Sequence, residues 1–176
     1  GNGFRLTGAK TFVVQGGSAD MLVVAARTAG SDEDDAGITL FAVPSDSAGL
    51  SVENARLVDS SQAAHVRLDG VQLDADAVIG EVDGGREVLN RVVRAGRVGA
   101  AAESVGVAQG SFDMTTTYLK QRKQFGKLIG EFQALQHRAA HLYSELEIAR
   151  AAVIKAQQLL DADSDKADLM ISVAKA

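Results

Sequence analysis

The stretch VGAAAESVGVAQGSFDMTTTYL, residues 98–119, decides the fold of this chain of 176 residues. Small and apolar residues recur in it at alternating intervals of three and four positions: Val98, Ala101, Val105, Ala108, Phe112, Thr115 and Leu119. This spacing places them along one face of an α-helix. Glycine weakens an isolated helix, so Gly99, Gly106 and Gly110 predict that another helix packs closely against this one.

The helical pattern returns further along the chain. After a break over residues 122–130, apolar residues again recur every three or four positions as far as Leu160. Ser164 is a candidate N-cap for a third helix. The sequence therefore predicts long antiparallel helices over roughly 86–120 and 130–160. They would bury one apolar face on each other and need further helices to cover the rest.

The residues before this helical region are typical of short β-strands. Runs rich in β-branched and aromatic residues are bounded by glycines, as in residues 10–14. Asp69 and Gly70 lie between two such runs and predict a tight hairpin turn. The periodicity changes from that of strands to that of helices at Gly84 and Gly85.

This change of periodicity predicts an α+β protein with two domains. A small antiparallel β barrel or sandwich would occupy residues 1–84. A long antiparallel helical-bundle segment would occupy residues 85–176.

Composition excludes several classes of function. There is no cysteine, which excludes disulfides and a cysteine nucleophile, and with only three histidines we expect no metal site. The net charge of -5 argues against nucleic acid as a partner. Apolar runs are too short to span a membrane, and the first residues do not form a signal peptide. We therefore expect a cytoplasmic protein, and the start at Gly1 suggests a piece of a longer one.

The charge is distributed unevenly along the chain. Residues 1–85 hold 13 acidic and 5 basic side chains, whereas residues 86–127 hold 3 acidic and 8 basic ones. A basic segment in an acidic protein can mark the site of an anionic ligand. The alternative is that these charges form a solvated helix face.

Three stretches carry motifs of a known family. They are GAKTFVVQGGSAD at residues 8–20, the run from Arg97 to VGVA at residues 105–108, and YLKQRKQFGKLIGEFQ at residues 118–133. Together they resemble the acyl-CoA dehydrogenases, flavoenzymes that desaturate acyl-CoA thioesters, and the third stretch is the most specific. The resemblance covers the whole chain but only about half of such an enzyme. It implies the middle β domain and the first part of the C-terminal helical domain.

The resemblance implies that FAD is the cofactor. Phe12 would lie against the flavin ring, since a planar side chain offers a flat apolar wall. Val13 and Val14 would approach the flavin with backbone groups. Val14 departs from the family, which usually has Thr or Ser at this position, because valine has a similar shape but no hydroxyl.

A second group of cofactor residues follows the first long helix. The resemblance implies that Arg122 grips the pyrophosphate of FAD, and a guanidinium with forked donors suits two phosphates. Without the resemblance, the basic residues here could simply complement the negative helix end. In the family this loop reaches the cofactor of a neighbouring subunit, so Gln124, Phe125 and Gln133 would contact the same FAD. We therefore expect other subunits of a dimer or tetramer as partners.

The resemblance also implies acyl-CoA as the substrate. Ser61 lies where the family often has a serine near the phosphopantetheine, although the flanking residues lack the usual glycine-rich pattern. Arg97 would lie near the acyl-CoA and the helical core. Because it occurs among small residues of an apolar helix, we expect it to be buried and to have a partner.

Desaturation needs a carboxylate to remove the α-proton of the thioester. In the family this base is a glutamate, either in late helices beyond this chain or immediately before the position of Arg97. Here the latter residue is Gly96, which cannot act as a base. Glu103 is on the same predicted helix but on a different face of it from Arg97. We therefore assign no catalytic residue and expect this chain alone to be inactive.

Two interpretations stay open. In the first, the chain is a fragment of an FAD-dependent acyl-CoA dehydrogenase whose base lies beyond Ala176. In the second, it is a non-catalytic subunit of a hetero-oligomeric member of the family and contributes Arg122 to a partner's FAD. A related flavin oxidase or monooxygenase is a third, weaker alternative.

Overall fold

The computed structural model describes residues 3–176, so residues 1 and 2 of the predicted β domain lie outside the described residues. The chain forms two compact units, one ending at Asn90 and one beginning at Arg91. The strands of the first unit are β1 (Phe4–Val14), β2 (Met21–Arg27), β3 (Ile38–Pro44), β4 (Leu50–Arg56), β5 (Gln62–Leu73) and β6 (Val78–Ile79).

These strands form two antiparallel sheets. In one sheet β5 lies between β1 and β4, and in the other β3 lies between β2 and β6. The two inner faces share one core, to which the first sheet contributes Val66 and Val71 and the second contributes Phe41 and Val43. The unit is therefore a sandwich of the predicted antiparallel kind. Its described strands do not close into a barrel, so that form of the prediction is wrong.

The long strands β1 and β5 pair with two irregularities. Gly70 is an extra residue, with φ of 67°, between the pairs Leu6–Val71 and Thr7–Asp69. The predicted hairpin at this point is wrong, because β5 continues through it. A glycine in left-handed conformation serves a β-bulge as well as a turn.

The second unit is helical. Its elements are α1 (Gly85–Leu119), which begins in the first unit, the short strands β7 (Lys123–Gln124) and β8 (Lys127–Leu128), α2 (Gln133–Asp161) and α3 (Ala167–Lys175). The two long helices confirm the prediction. The N-cap of α3 is Lys166 instead of Ser164. The hydroxyl of Ser164 accepts a hydrogen bond of 3.3 Å from the backbone N–H of Lys166, and so stabilises the turn before α3.

Contacts along α1 and α2 show that these helices run antiparallel. Phe112 of α1 contacts Tyr143 of α2 with ring centroids 5.9 Å apart. Gln109 of α1 accepts a hydrogen bond from Arg150 of α2, so residue numbers rise along one helix as they fall along the other. A small buried core forms where α3 joins them, from Val98, Ala156, Ala167 and Ile171.

The rest of the predicted interface between α1 and α2 is open. Their apolar faces line a groove of about 640 Å³, and Leu135 and Leu142 are 37% and 39% exposed. No described atom outside α1 lies within 4 Å of a Cβ built on Gly99, Gly106 or Gly110. The close helix contact predicted at these glycines is therefore not made by the described residues.

Candidate functional site

The end of β1 presents an aromatic ring to solvent. Phe12 has φ of 57°, and its side chain is 64% exposed. A left-handed backbone costs a residue with a Cβ about 1–2 kcal/mol. Here the conformation is held by a bulge, since Lys10 and Val13 pair with β5 on either side of it. Bulges of this kind re-aim side chains next to active sites.

The residues after Phe12 are anchored to neighbouring strands. Val13 is half-buried, whereas Val14 is exposed. The backbone N–H of Gln15 donates to the carbonyl of Gln62 at 2.9 Å. A Cβ on Gly17 would lie only 1.7 Å from Oδ1 of Asn54, so any larger residue there would displace the Asn54 side chain. The sequence motif contains this glycine, but the close approach of Asn54 has no signal in the sequence.

Ser61 lies near the same end of the sheet as Val14. It is two residues before Ala63, which pairs with Val14 across the two strands. The backbone N–H and the hydroxyl of Ser61 donate to Oδ1 of Asp59, at 2.9 and 2.7 Å. These bonds, the hydroxyl first, hold the pKa of the Asp59 carboxyl below its ordinary value. The structure thus brings Ser61 and the end of β1 together, and it adds Asp59 as a residue that the sequence did not reveal.

The second candidate cluster is the hairpin formed by β7 and β8. Its two central residues, Phe125 and Gly126, have φ of 52° and 80°. Positive values at both positions are what a two-residue type I′ turn requires. The Phe125 side chain is 91% exposed. The base of the hairpin is closed by a hydrogen bond of 2.9 Å from the N–H of Ile129 to the carbonyl of Arg122.

Arg122, Gln124 and Gln133 are all exposed. Among the described residues, none accepts a hydrogen bond from the Arg122 guanidinium or forms an ion pair with it. Gln133 is the first residue of α2. The start of a long helix favours anions because its first N–H groups have no partners within the helix. The segment therefore combines an unpaired guanidinium, a helix start and an exposed aromatic ring.

These groups suit the parts of a flavin dinucleotide. Forked guanidinium donors match the geometry of a pyrophosphate, and exposed Phe rings can pack on flat heterocycles. Phe12 belongs to the first unit and Arg122 to the second.

Arg97 does not fulfil its predicted burial. Its side chain is exposed, because no described residue covers that side of α1. Another arginine of α1, Arg94, does have a carboxylate partner: its Nε and Nη2 lie 2.6 and 2.5 Å from the oxygens of Asp168 on α3. The sequence could not reveal this pair, since 74 positions separate its members. Around Gly96, a built Cβ would meet no described atom outside α1 within 4 Å.

Two further properties concern the described residues as a whole. They contain no group of three or more His, Cys, Asp or Glu side chains that could hold a metal ion. None of the helices among them combines the length and the hydropathy needed to cross a membrane.

Comparison with known protein families agrees with the fold. The model of the acyl-CoA dehydrogenase middle domain matches residues 1–71, and that of the C-terminal domain matches residues 83–176. The chain therefore belongs to the acyl-CoA dehydrogenase family.

Individual relatives are similar over almost the whole chain. The mitochondrial short/branched chain specific acyl-CoA dehydrogenase of Bos taurus is 36% identical over 165 residues, which are 92% of this chain and 38% of that protein. Butyryl-CoA dehydrogenase from Megasphaera elsdenii has a TM-score of 0.86 at 28% identity, over 98% of this chain and 45% of that one. A chain of the ChsE4-ChsE5 complex from Mycobacterium tuberculosis has a TM-score of 0.80 at 27% identity, over 99% and 45%. This chain thus spans less than half the length of these relatives.

Proposed function

We propose that this chain is part of an FAD-dependent acyl-CoA dehydrogenase, which converts the α,β single bond of an acyl-CoA thioester into a double bond. The observation that carries the proposal is the hairpin after α1. It displays Phe125 in a left-handed turn, close in sequence to Arg122, whose guanidinium has no partner among residues 3–176. Membership of the family supports the same assignment.

Phe12 and Arg122 would serve FAD molecules in different subunits of an oligomer. Arg122 would bind the pyrophosphate, and Gln124, Phe125 and Gln133 would contact the same FAD. Phe12 would lie against the flavin ring, with Val13 and Val14 near it. When bound, FAD supplies an acceptor for the hydride that leaves the β-carbon.

At Val14, the last residue of β1, only backbone groups could form hydrogen bonds to the flavin. Val14 is exposed and carries no hydroxyl, unlike the Thr or Ser that the family resemblance implies there. Any hydrogen bond at that position must therefore come from the main chain.

The substrate would be bound by Ser61 and Arg97. The hydroxyl proton of Ser61 is directed at Asp59, so its oxygen is left to accept a hydrogen bond, for which an amide N–H of the pantetheine chain is suitable. The exposed guanidinium of Arg97 would attract an anionic part of acyl-CoA.

The catalytic base would lie in a part of the protein outside these residues. Gly96 has no side chain to accept the α-proton. Glu103 is exposed and lies on a different face of α1 from Arg97. We therefore expect no desaturation by the 176-residue chain alone.

The second candidate function is that of a non-catalytic subunit in a hetero-oligomeric dehydrogenase. Val14 and Gly96 favour it, because both lack a functional group where the resemblance implies one. Arg122 would then serve the FAD of a partner subunit. Dye reduction with FAD and acyl-CoA substrates distinguishes the two: turnover that appears only with the rest of the same polypeptide supports the first function. Turnover that requires a different subunit supports the second.

The assignment of the hairpin is tested by FAD titration of the complete protein. Arg122→Met should weaken FAD binding about tenfold or more, because a charge-assisted bidentate contact is lost. Lys120→Met is the matched control: it removes a neighbouring exposed charge and should change the affinity less than about twofold. Equal FAD affinity in the Arg122→Met variant and the unaltered protein would contradict the assignment.

A further inference from the structure

The tip of the hairpin is supported by one aromatic residue outside it. The ring of Phe125 packs edge to face on the ring of Phe132, with centroids 6.2 Å apart and planes at 84°. Phe132 is the residue before α2 and is half-buried. Because Phe125 is otherwise almost fully exposed, this contact is the main restraint on its side chain.

The same ring also engages the cation that follows the turn. Nζ of Lys127 lies 4.3 Å from the centroid of Phe132, a distance at which an ammonium is attracted to an aromatic face. Phe132 therefore contacts one residue of the tip, Phe125, and the residue that follows the tip, Lys127. Lys127 is thereby directed to a ring, whereas the guanidinium of Arg122 has no acceptor among the described residues.

Other contacts restrain only the base of the hairpin. The N–H of Leu128 donates to Oε1 of Glu131 at 3.2 Å, and Nε2 of Gln136 donates to the carbonyl of Gly130 at 2.9 Å. A Cβ on Gly130 would lie 2.8 Å from the carbonyl oxygen of Leu119, so the backbone there packs directly on the end of α1. None of these contacts reaches Phe125 or Gly126.

The turn itself is strained. Phe125 has φ of 52°, in the left-handed region where side chains with a Cβ are unfavourable and where Asn, Asp or Gly usually occur in this turn. Such a conformation persists only if its surroundings hold it. Phe132 supplies the side-chain contact that does so.

We propose that Phe132 is a positioning residue, which holds Phe125 and Lys127 and thereby keeps the hairpin tip in its binding conformation before a ligand arrives. Pre-organisation of this kind raises affinity because less ordering is left to the binding step. The identity of the ligand as FAD rests on the proposed function, whereas the support of the tip does not.

Hydrogen exchange of the 176-residue chain tests this role without any ligand. Phe132→Leu removes the ring but keeps an apolar side chain, and it should speed amide exchange at residues 124–128 about five- to tenfold. Phe132→Tyr keeps the ring, so its amide exchange at residues 124–128 should match that of the unaltered chain. Phe112→Leu is the matched control, since Phe112 makes the ring contact with Tyr143 away from the hairpin. Unchanged exchange in Phe132→Leu would overturn the proposal.

Titration of the complete protein with FAD tests the consequence for binding. Phe132→Leu should weaken FAD about fivefold and Phe132→Tyr by less than about twofold. Faster exchange with unchanged FAD affinity would also overturn the positioning role. Loss of affinity in Arg122→Met but not in Phe132→Leu would leave the proposed function intact. If Arg122→Met has no effect, the FAD assignment fails, and hydrogen exchange alone decides whether Phe132 supports the tip.

Discussion

The β unit and the helical unit bury their apolar residues to different extents. In the β unit the two sheets cover one core, in which Phe41, Val43 and Val71 are 0% exposed. In the helical unit the buried core cluster lies around Ile171, and much of the remaining apolar surface of α1 and α2 lines an open groove. Two sheets can cover each other's apolar faces, but a pair of helices with such faces needs further helices. The first unit is therefore complete as a packed layer structure, and the second is not.

The largest loss of unfolding free energy should come from a substitution at the centre of the β unit. Phe41→Ala should lower the free energy of unfolding by about 3–5 kcal/mol, because it removes a fully buried ring and leaves a cavity. Urea denaturation followed by the β-sheet circular dichroism signal measures this. Val23→Ala, at an exposed position on β2, is the control and should change the value by less than about 0.5 kcal/mol. Similar losses in both variants would show that the sandwich core is not closed as described.

An effect of intermediate size is expected for two leucines of α2 that are four positions apart. Replacing each by alanine should lower the free energy of unfolding by different amounts. Leu146 is 7% exposed and Leu142 is 39% exposed. Leu146→Ala should cost about 2–3 kcal/mol of unfolding free energy, and Leu142→Ala less than about 1 kcal/mol. Thermal or urea unfolding, followed by the helical circular dichroism signal at one protein concentration, compares the two variants. An equal cost would mean that the groove is covered in solution, by self-association or another segment, and size determination would then show which.

The smallest effect concerns the Asp59 carboxyl beside Ser61. Hydrogen bonds from Ser61 lower the pKa of Asp59 from its ordinary 3.8. Their stabilising effect is therefore complete above the unfolded pKa and is lost as the pH falls through the lower folded pKa. Ser61→Ala removes the hydroxyl donor, so the pKa of Asp59 should rise toward 3.8, as measured by NMR titration of the carboxyl carbon.

A control for this titration exists at a second loop carboxyl. Hydrogen bonds from Ser31, the backbone N–H first, lower the pKa of Asp34. Ser61→Ala should leave the pKa of Asp34 unchanged. An unaltered Asp59 titration, or equal shifts of both carboxyls, would count against a direct contact between Ser61 and Asp59.

Local periodicity is sufficient to predict the helices and most strands, since side-chain spacing along an element depends only on the geometry of that element. It is insufficient at Asp69 and Gly70, where a bulge and a turn both use a left-handed glycine and the partner strand β1 determines which forms. The predicted burial of Arg97 is wrong for a similar reason, because burial depends on what packs against α1. The domain boundary at residues 84 and 85 stays a prediction.

The candidate site is predictable only in part. The motifs indicate the segments that contain Phe12 and Arg122, and the roles of these residues in binding FAD stay predictions. Position in a motif does not indicate that Phe132 contacts both Phe125 and Lys127, because ring distances depend on how the hairpin folds back on the start of α2. The hydrogen bonds of Ser61 to Asp59 depend in the same way on the conformation of their loop.

The sequence by itself determined the family, the order of strands and helices, and the apolar faces of α1 and α2, because each is encoded in residues that are close along the chain. Only the tertiary structure decided which apolar faces are buried, where the bulges fall, and that Arg94 pairs with Asp168 while Arg122 has no described partner. These features arise from contacts between residues far apart in sequence, and such contacts follow from the packing of whole elements, which no local pattern specifies.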